Sequence, residues 1–305
     1  MFAPANLGAW PTPLEAAPGL AAATGTAALW LKREDRSSPR YGGSKVRALE
    51  FLFARMAPGT VWVTVGGTGS THCLATAVHA GGCGARAVLA QFPQPDTEWA
   101  LAVGRAAARH AAAVLRARSR AGLPFTLARA WHLAATLGPR RWIPGGGAHP
   151  RAVLGHLLGA LELDTQLDAP PDVIVLPLGS GGTAAGLILG VAALGWPTRV
   201  VAVRVAPWIV ANPWRVRWLA RGARKVAARR GVALPAPTSG SLVVVDGLGA
   251  GYGHPTPAGE AARGLAKEYG LTLESTYGAK AFASLVQRAT GNMQRVVFWH
   301  TFAVP

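Results

Sequence analysis

Cysteine and acidic residues are scarce in this chain of 305 residues. Its two cysteines, Cys73 and Cys83, stand ten residues apart, without a CxxC pair or a histidine-rich partner. This pattern excludes a disulfide framework and a cysteine-rich zinc site, and we expect both thiols to be buried. No apolar stretch free of Gly, Pro or charge reaches the roughly 20 residues that cross a bilayer. The sequence therefore predicts no membrane-spanning segment.

The chain is strongly basic, because its 31 basic and 14 acidic residues give a net charge of +17. Such a charge raises the hypothesis of nucleic-acid binding. The basic residues concentrate in two alanine-interleaved runs that we expect to be helical and that lack a recognised nucleic-acid motif, which favours solvated helix faces. Acidic substrates and phosphates stay open as ligands. The runs are Arg105, Arg109, Arg116, Arg118 and Arg120, and Arg215, Arg217, Arg221, Arg224, Lys225, Arg229 and Arg230.

The first residues, MFAPANLGAW, contain no basic region followed by an apolar segment. No export signal is predicted, and we expect a cytoplasmic protein. The length suits one large α/β unit or two lobes with a cleft between them.

Short apolar runs alternate with longer alanine-rich segments, a βαβ rhythm typical of a parallel sheet covered by helices. The predicted strands are Leu29–Lys32, Val61–Val65, Ala87–Gln91, Val173–Leu178, Val200–Val205, Leu242–Val245 and Val296–Trp299. The predicted helices begin near Ser44, Ser70, Asp96, Pro150, Gly182, Trp208, Pro257 and Gly278. The Gly- and Pro-rich segment from Gly138 to Pro150 cannot continue a helix or a central strand, so it is a candidate crossover between lobes.

Three glycine-rich segments could carry chemistry. In the first, Tyr41-Gly42-Gly43-Ser44-Lys45 leads into a helix. Lys45 lies where the positive end of the helix dipole disfavours an ammonium, so we expect its pKa to fall, as Schiff-base chemistry requires. An ordinary surface lysine is the alternative interpretation of this segment taken alone.

In the second segment, Val65-Gly66-Gly67-Thr68-Gly69-Ser70-Thr71-His72 joins a strand to a helix. Free N–H groups at such a turn attract a carboxylate, and Ser70 and His72 could add proton-transfer capacity. A simple turn with a capping serine explains the segment equally well.

The third segment, Leu178-Gly179-Ser180-Gly181-Gly182-Thr183-Ala184, also joins a strand to a helix and predicts a phosphate cradle. It lacks the Lys-Ser/Thr ending of a P-loop and does not fit GxGxxG. The phosphate of a mononucleotide or of pyridoxal 5'-phosphate (PLP) therefore suits it better than ATP or NAD.

Taken together in this order, these segments resemble the fold-type II PLP enzymes, and within them the D-cysteine desulfhydrase and 1-aminocyclopropane-1-carboxylate deaminase family. The matching segments are PTPL at 11–14, LKRED at 31–35, YGGSKVRALEFL at 41–52, VTVGGTGSTHCLATA at 63–77, LGSGGTAAGL at 178–187, GYGHPTPAG at 251–259, STYGAKA at 275–281 and FWHTF at 298–302.

The resemblance implies a two-lobed α/β fold with a parallel sheet in each lobe. It places residues 1–47 and 156–305 in a large PLP-binding lobe and residues 48–155 in a small one, and it implies a homodimer. It also implies that Lys45 carries PLP, that Gly179, Ser180, Gly181, Gly182, Thr183 and Ala184 hold the phosphate, that Thr301 partners the ring nitrogen, and that Ser70, Thr71, His72, Tyr252 and Tyr277 face the substrate or cofactor.

The chain departs from the family pattern at several of these positions. Thr71 replaces an asparagine that bonds the PLP 3'-oxygen, and a family glutamine in the same turn falls at Gly69 or Thr68. Gly278 replaces the glutamate that ring-opening deaminases use, which argues against ring opening. Phe302 and Ala303 replace a glycine pair, and we expect them to crowd Thr301.

The resemblance thus predicts a PLP-dependent lyase that performs β-elimination on a small, D-cysteine-like amino acid, giving a keto acid, ammonia and a leaving group. The alternatives are a deaminase of the ring-opening kind, a specialised PLP racemase or β-replacement enzyme, and a non-catalytic PLP-fold binding protein.

Overall fold

Two separate β-sheets organise the chain. The computed structural model describes residues 4–54, 56–288, 295–302 and 304. Its strands are β1 (Leu14–Ala16), β2 (Ala28–Arg33), β3 (Val61–Gly67), β4 (Arg86–Phe92), β5 (Ala113–Arg116), β6 (Arg140–Ile143), β7 (Val173–Leu178), β8 (Arg199–Arg204), β9 (Leu242–Asp246) and β10 (Arg295–His300). The larger sheet has the order β1-β2-β10-β7-β8-β9, and the smaller has the order β5-β4-β3-β6. Apart from the antiparallel pair β1–β2, the pairings among these strands are parallel, which confirms the predicted α/β fold with parallel-sheet cores.

Helices follow most of the strands and cover both sheets. They are α1 (Pro18–Thr24), α2 (Lys45–Phe53), α3 (Thr71–Gly82), α4 (Glu98–His110), α5 (Leu123–Leu137), α6 (Pro150–Gln166), α7 (Gly182–Ala193), α8 (Pro213–Ala228), α9 (Pro257–Glu268) and α10 (Gly278–Arg288). Seven of the predicted helix starts are confirmed. The start near Trp208 is wrong, because the Asn212 side chain accepts the N–H of Arg215 at 2.8 Å and Pro213 takes the first helical position.

The first basic run is not one helix. Arg105 and Arg109 lie on α4, which ends at His110. Arg116 belongs to β5, an edge strand paired with β4, and Arg118 and Arg120 lie in the loop before α5. Strand pairing interrupts the helix here, so the helical prediction is correct for only part of this run. The second run lies on α8 as far as Lys225. The prediction for the thiols is also partly wrong, since Cys83 is half-exposed at the end of α3.

The candidate crossover contains a strand that was not predicted from the sequence. β6 occupies an edge of the smaller sheet, where a neighbouring proline is tolerated, and a 3-10 turn at Gly145–Gly147 leads from it to α6. The division of lobes at positions 47/48 and 155/156 falls inside α2 and α6 and stays a prediction. No helix of the described residues is long and apolar enough to span a membrane.

A buried ionic cluster anchors α2 next to Lys45. The Arg47 guanidinium contacts Glu34 at 2.7 Å and Glu162 at 2.8 Å, and Lys32 Nζ lies 2.7 Å from Glu162. These residues belong to β2, the turn after it, α2 and α6. A buried ion pair that loses one partner leaves an uncompensated charge, so the cluster specifies one position for α2. The position of Lys45 follows from it.

Candidate active site

All of the predicted site residues line one cavity of about 510 Å³. It opens at the carboxyl ends of β3 and β7, where ligands bind in parallel α/β sheets. The structure therefore brings the predicted residues together, while their membership of a functional site and the role of each residue stay predictions. The predicted residues that line it are Lys45, Ser70, Thr71, His72, Gly179, Ser180, Gly181, Gly182, Thr183, Ala184, Tyr252, Tyr277 and Thr301.

Lys45 is the first residue of α2. The turn before it depends on Gly43, whose φ of 99° favours glycine, and the Ser44 N–H donates to the Thr301 carbonyl at 3.1 Å. Burial lowers the pKa of Lys45 to about 8. The predicted direction agrees, but loss of hydration is the cause that the structure supports, rather than the helix dipole. An amine with this pKa is partly free at neutral pH and can act as a nucleophile or base.

The turn between β7 and α7 presents open backbone donors. The N–H groups of residues 179–184 make no hydrogen bond to another described residue. Gly181, with φ of 92°, is the N-cap of α7, and a Cβ there would lie 3.3 Å from Val216 Cγ2. Unpaired amides at a helix N-terminus form an anion site. This turn therefore fits the phosphate of PLP.

The turn between β3 and α3 is filled with side chains instead. Ser70 is the N-cap of α3, and its Oγ accepts the Cys73 N–H at 3.3 Å. A Cβ on Gly66 would lie 2.4 Å from Ser70 Oγ, and one on Gly69 would lie 2.5 Å from the Ala100 Cα. Helix α4 thus packs directly on this turn, which explains why a long side chain is not accommodated at position 69.

His72 is buried and neutral. Its Nε2 lies 2.8 Å from Thr64 Oγ1, and the Thr64 hydroxyl donates to the Ile143 carbonyl at 2.9 Å. Because that hydroxyl has a single hydrogen, His72 Nε2 must be the donor to Thr64. Nδ1 is then an acceptor, and it has no partner among the described residues. Burial, with the nearby Lys45 charge, lowers the pKa of His72 to about 3. In this arrangement Nδ1 can accept a hydrogen bond but cannot donate one to a substrate carboxylate.

Tyr252 and Tyr277 form a hydrogen-bonded pair beside the phosphate cradle. Their hydroxyl oxygens are 2.5 Å apart, and Tyr277 Cε1 lies 3.5 Å from the position of a Cβ on Gly179. Burial raises the pKa of Tyr252 to about 12 and that of Tyr277 well above its ordinary value. Both hydroxyls therefore stay protonated at neutral pH and can serve as proton donors.

Glu274 is a buried acid that was not predicted as a site residue. Its carboxyl oxygens accept the N–H groups of Thr276, Tyr277 and Gly278 at distances from 2.5 to 3.0 Å. Burial raises its pKa to about 7. These bonds hold the start of α10 and therefore Tyr277. The signal available in the sequence was an acid directly before STYGAKA.

Three more residues near the cavity were missed or misassigned. His156 on α6 lies behind the cradle, with Nε2 at 3.7 Å from the position of a Cβ on Gly182. Arg120 and Arg215 line the cavity itself, although their basic runs were predicted to form solvated helix faces. Phe302 packs edge-on against Trp99 with ring centroids 5.5 Å apart and does not line the cavity, and the expected crowding of Thr301 stays a prediction. Ala303 lies outside the described residues.

The donor set fits PLP. An amine of lowered pKa and a cradle of open amides line the same cavity, together with the Thr301 hydroxyl. These groups match the aldehyde, the phosphate and the ring nitrogen of that cofactor.

Comparison with known proteins agrees with this chemistry. The family model described as "Pyridoxal-phosphate dependent enzyme" matches residues 5–301. The chain is 36% identical over 287 residues to the nocardicin C-9' epimerase of Nocardia uniformis subsp. tsuyamanensis, covering 89% of this chain and 85% of that protein. It is 28% identical over 299 residues to a protein of Pyrococcus horikoshii named "Putative 1-aminocyclopropane-1-carboxylate deaminase", covering 96% and 89%. It is 27% identical over 329 residues to a D-cysteine desulfhydrase of Klebsiella pneumoniae, covering 97% and 92%.

Solved structures share the fold. The crystal structure of a 1-aminocyclopropane-1-carboxylate deaminase homologue superposes with a TM-score of 0.84 at 26% identity, covering 99% of this chain and 92% of the other. The processed form of threonine deaminase isoform 2 from Solanum lycopersicum superposes with a TM-score of 0.64 at 18% identity, covering 96% and 79%, which shows the fold alone. The fold-type II resemblance is thereby confirmed.

Proposed function

Since this chain belongs to the family of pyridoxal-phosphate dependent enzymes, we propose that it removes the α-proton of an amino acid, with PLP held by Lys45. When bound, PLP withdraws electrons from the attached amino acid, so that the α-proton becomes removable. The single observation that supports this most is the Lys45 amine, with its pKa of about 8, in the same cavity as the open amides of residues 179–184.

The other cavity residues have proposed roles in binding and proton transfer. The amides of residues 179–184 hold the phosphate, and the Thr301 hydroxyl bonds the ring nitrogen. The Ser70 hydroxyl and the first N–H groups of α3 bind the substrate carboxylate, since both are donors at a positive helix end. The amine of Lys45 takes the α-proton, and the hydroxyls of Tyr252 and Tyr277 supply one.

Return of a proton to the same carbon is the outcome that we place first, which makes the enzyme an amino-acid racemase or epimerase. The 36% identity to an epimerase over 89% of the chain supports it. A cavity that contains both an amine that is partly free at neutral pH and protonated tyrosines also suits it, because one group removes the proton and another delivers it.

β-Elimination from a D-cysteine-like amino acid, the function predicted from sequence, is the second candidate. The 27% identity to D-cysteine desulfhydrases supports it, and a tyrosine hydroxyl could protonate the leaving group. Ring opening is less favoured, because Gly278 stands where the ring-opening deaminases have a glutamate and brings no carboxylate.

One experiment separates these outcomes. The purified protein, loaded with PLP, is incubated in deuterium oxide with the D and L forms of alanine, serine and cysteine. Proton NMR follows loss of the α-hydrogen signal, chiral chromatography follows inversion, and assays for keto acid and sulfide follow elimination. Inversion without keto acid supports the racemase, and keto acid formation supports the lyase. Uptake of PLP at Lys45 without exchange of any amino acid would support the non-catalytic alternative.

The predicted homodimer, the cytoplasmic location and the division into two lobes are also proposals. A homodimer predicts twice the chain mass of 31.5 kDa in light scattering.

A further inference from the structure

Two arginines line the cavity without a carboxylate partner among the described residues. Arg120 lies in the loop before α5, and its guanidinium carbon is 5.8 Å from the centre of the Phe92 ring. Arg215 lies in the first turn of α8, and its Nε donates to the Ser180 carbonyl at 3.1 Å. The two terminal nitrogens of Arg215 make no hydrogen bond or ion pair with a described residue.

The charged residues that line the cavity are all basic. Within the described part of the chain, its lining contains Lys45, Arg120 and Arg215 and no aspartate or glutamate. The phosphate has the open amides of residues 179–184, and the substrate carboxylate has Ser70 and the start of α3. The phosphate of PLP and the carboxylate of the amino acid therefore both have hydrogen-bond donors other than the two arginines. Two planar guanidinium groups remain, and such groups match a carboxylate with paired hydrogen bonds.

Apolar side chains lie between the inner cavity and water. Leu123, at the start of α5, and Ile209 and Val210, in the loop after β8, line the cavity together with Phe92. Ile209 is 82% exposed and Val210 is 38% exposed. Exposed apolar groups at a cavity mouth mark a surface that a ligand covers. The side chain of cysteine ends one atom beyond Cβ and offers little apolar surface to cover them.

We propose that the substrate is an amino acid whose side chain passes an apolar segment at this mouth and ends in a second carboxylate bound by Arg120 and Arg215. This inference rests on the proposed removal of the α-proton. The two arginines belong to different parts of the fold, the loop between β5 and α5 and the start of α8. A substrate of this kind therefore bridges them, while the amino-acid end stays at Lys45.

A matched pair of probes tests this inference. 4-Carboxyphenylalanine and 4-carbamoylphenylalanine have the same shape and differ in the distal charge. The kcat/KM of α-hydrogen exchange in deuterium oxide is measured for the D and L forms of both, with alanine as the short reference. We expect the wild-type protein to prefer the carboxylate over the amide by roughly tenfold, the size of a hydrogen bond to a charged group.

Variants then assign the preference to the two arginines. Arg120→Gln and Arg215→Gln should each reduce the ratio between the carboxylate and the amide towards one. Arg118→Gln, in the same loop, and Arg217→Gln, on the same helix, are exposed and do not line the cavity, so they should keep the ratio. A ratio is used because a general loss of folding or cofactor would lower both rates together.

The outcomes are distinct. Equal rates for the two probes in the wild-type protein, with alanine the better substrate, would overturn the distal-carboxylate inference and leave the proposed function intact. An Arg215→Gln variant that binds PLP more weakly in a fluorescence titration, with an unchanged probe ratio, would assign that arginine to the phosphate and overturn its part in the inference. Absence of exchange with every amino acid would instead count against the proposed function.

Discussion

The turn after β3 and the turn after β7 have the same plan, since each joins the carboxyl end of a parallel strand to a helix through a run of glycines. They use it in opposite ways. After β3, Ser70 and His72 fill the turn, and the serine side chain caps one helix N–H, that of Cys73. After β7, no side chain of the described residues caps the helix, and the amides stay open.

The glycines differ for the same reason. Gly66 and Gly69 are required by close neighbours, because a Cβ at either position would meet Ser70 or Ala100. Gly181 is required by its backbone conformation and by the need to keep donors uncovered. A glycine-rich turn can therefore bind a ligand through side chains or through backbone. The residues packed around the turn determine which of the two it uses.

The largest expected effect is on PLP affinity, because the turn after β7 is proposed to bind the phosphate through its backbone. Gly181→Ala places a Cβ at a φ of 92° and 3.3 Å from Val216 Cγ2, so the turn must shift. Strain of this kind costs about 1–3 kcal/mol, which corresponds to a rise of up to roughly 100-fold in the Kd of PLP. Equilibrium titration of PLP measures it, and pyridoxal, which lacks the phosphate, should lose much less.

Gly195→Ala is the matched control for that variant. Gly195 also has a positive φ, of 66°, but it follows α7 at the far end from the cradle and has no described neighbour near its Cβ position. It should lower stability and leave PLP affinity unchanged. Equal PLP affinity in the two alanine variants would contradict the cradle assignment.

Lys45 lines the same cavity as the two turns, and its ionisation gives the next effect. Since burial lowers its pKa to about 8, the free amine increases as the pH rises and reaches a plateau above that value. The rate of PLP capture should increase roughly 50-fold from pH 6 to pH 8 and then level off. Stopped-flow absorbance measures the rate. An ordinary lysine would instead show a rate that keeps rising to about pH 10.

Packing of the first turn gives a smaller effect, on stability. Gly69→Gln introduces a side chain 2.5 Å from the Ala100 backbone, which should lower the free energy of unfolding by about 1–3 kcal/mol. Gly81→Ala, on the open side of α3, has no close neighbour among the described residues and should raise stability by about 0.5–1 kcal/mol. Urea denaturation compares them. If Gly69→Gln left the free energy of unfolding unchanged, α4 would not restrict this turn.

The sequence predicted the inner strands and one edge strand, β9, but it missed the other three edge strands, β1, β5 and β6. β3, β7 and β8 are apolar because both faces of a parallel sheet are covered, so their composition reveals them. β5 and β6 are short edge strands, and Arg140, Arg141 and Trp142 in β6 are exposed. Their pairing with β4 and β3 depends on partners distant in the chain, which no local pattern encodes.

Residues in and around the cavity were predicted where backbone conformation selects glycine and missed where tertiary packing selects the residue. The turns at residues 66–72 and 179–184 are visible because glycine clusters follow apolar strands. Glu274 and His156 lie behind the cavity lining, and their local sequence resembles ordinary helix ends and interiors. Arg120 and Arg215 were assigned to solvated faces, since charge runs do not reveal which member faces a cavity.

The smallest expected effect separates the capping role of Ser70 from its binding role. Ser70→Ala removes the N-cap of α3 and should cost about 1 kcal/mol of stability, and it should also raise the KM for amino acids by removing a donor to the carboxylate. Thr256→Ala removes the N-cap of α9 in the same way, and Thr256 does not line the cavity. That variant should lose similar stability without a change in KM. Ser70→Thr should restore both properties, because it keeps the hydroxyl. If Ser70→Ala and Thr256→Ala gave the same KM, Ser70 would have only a structural role. In that case only the turn after β7 would bind a ligand, and the turn after β3 would serve packing alone.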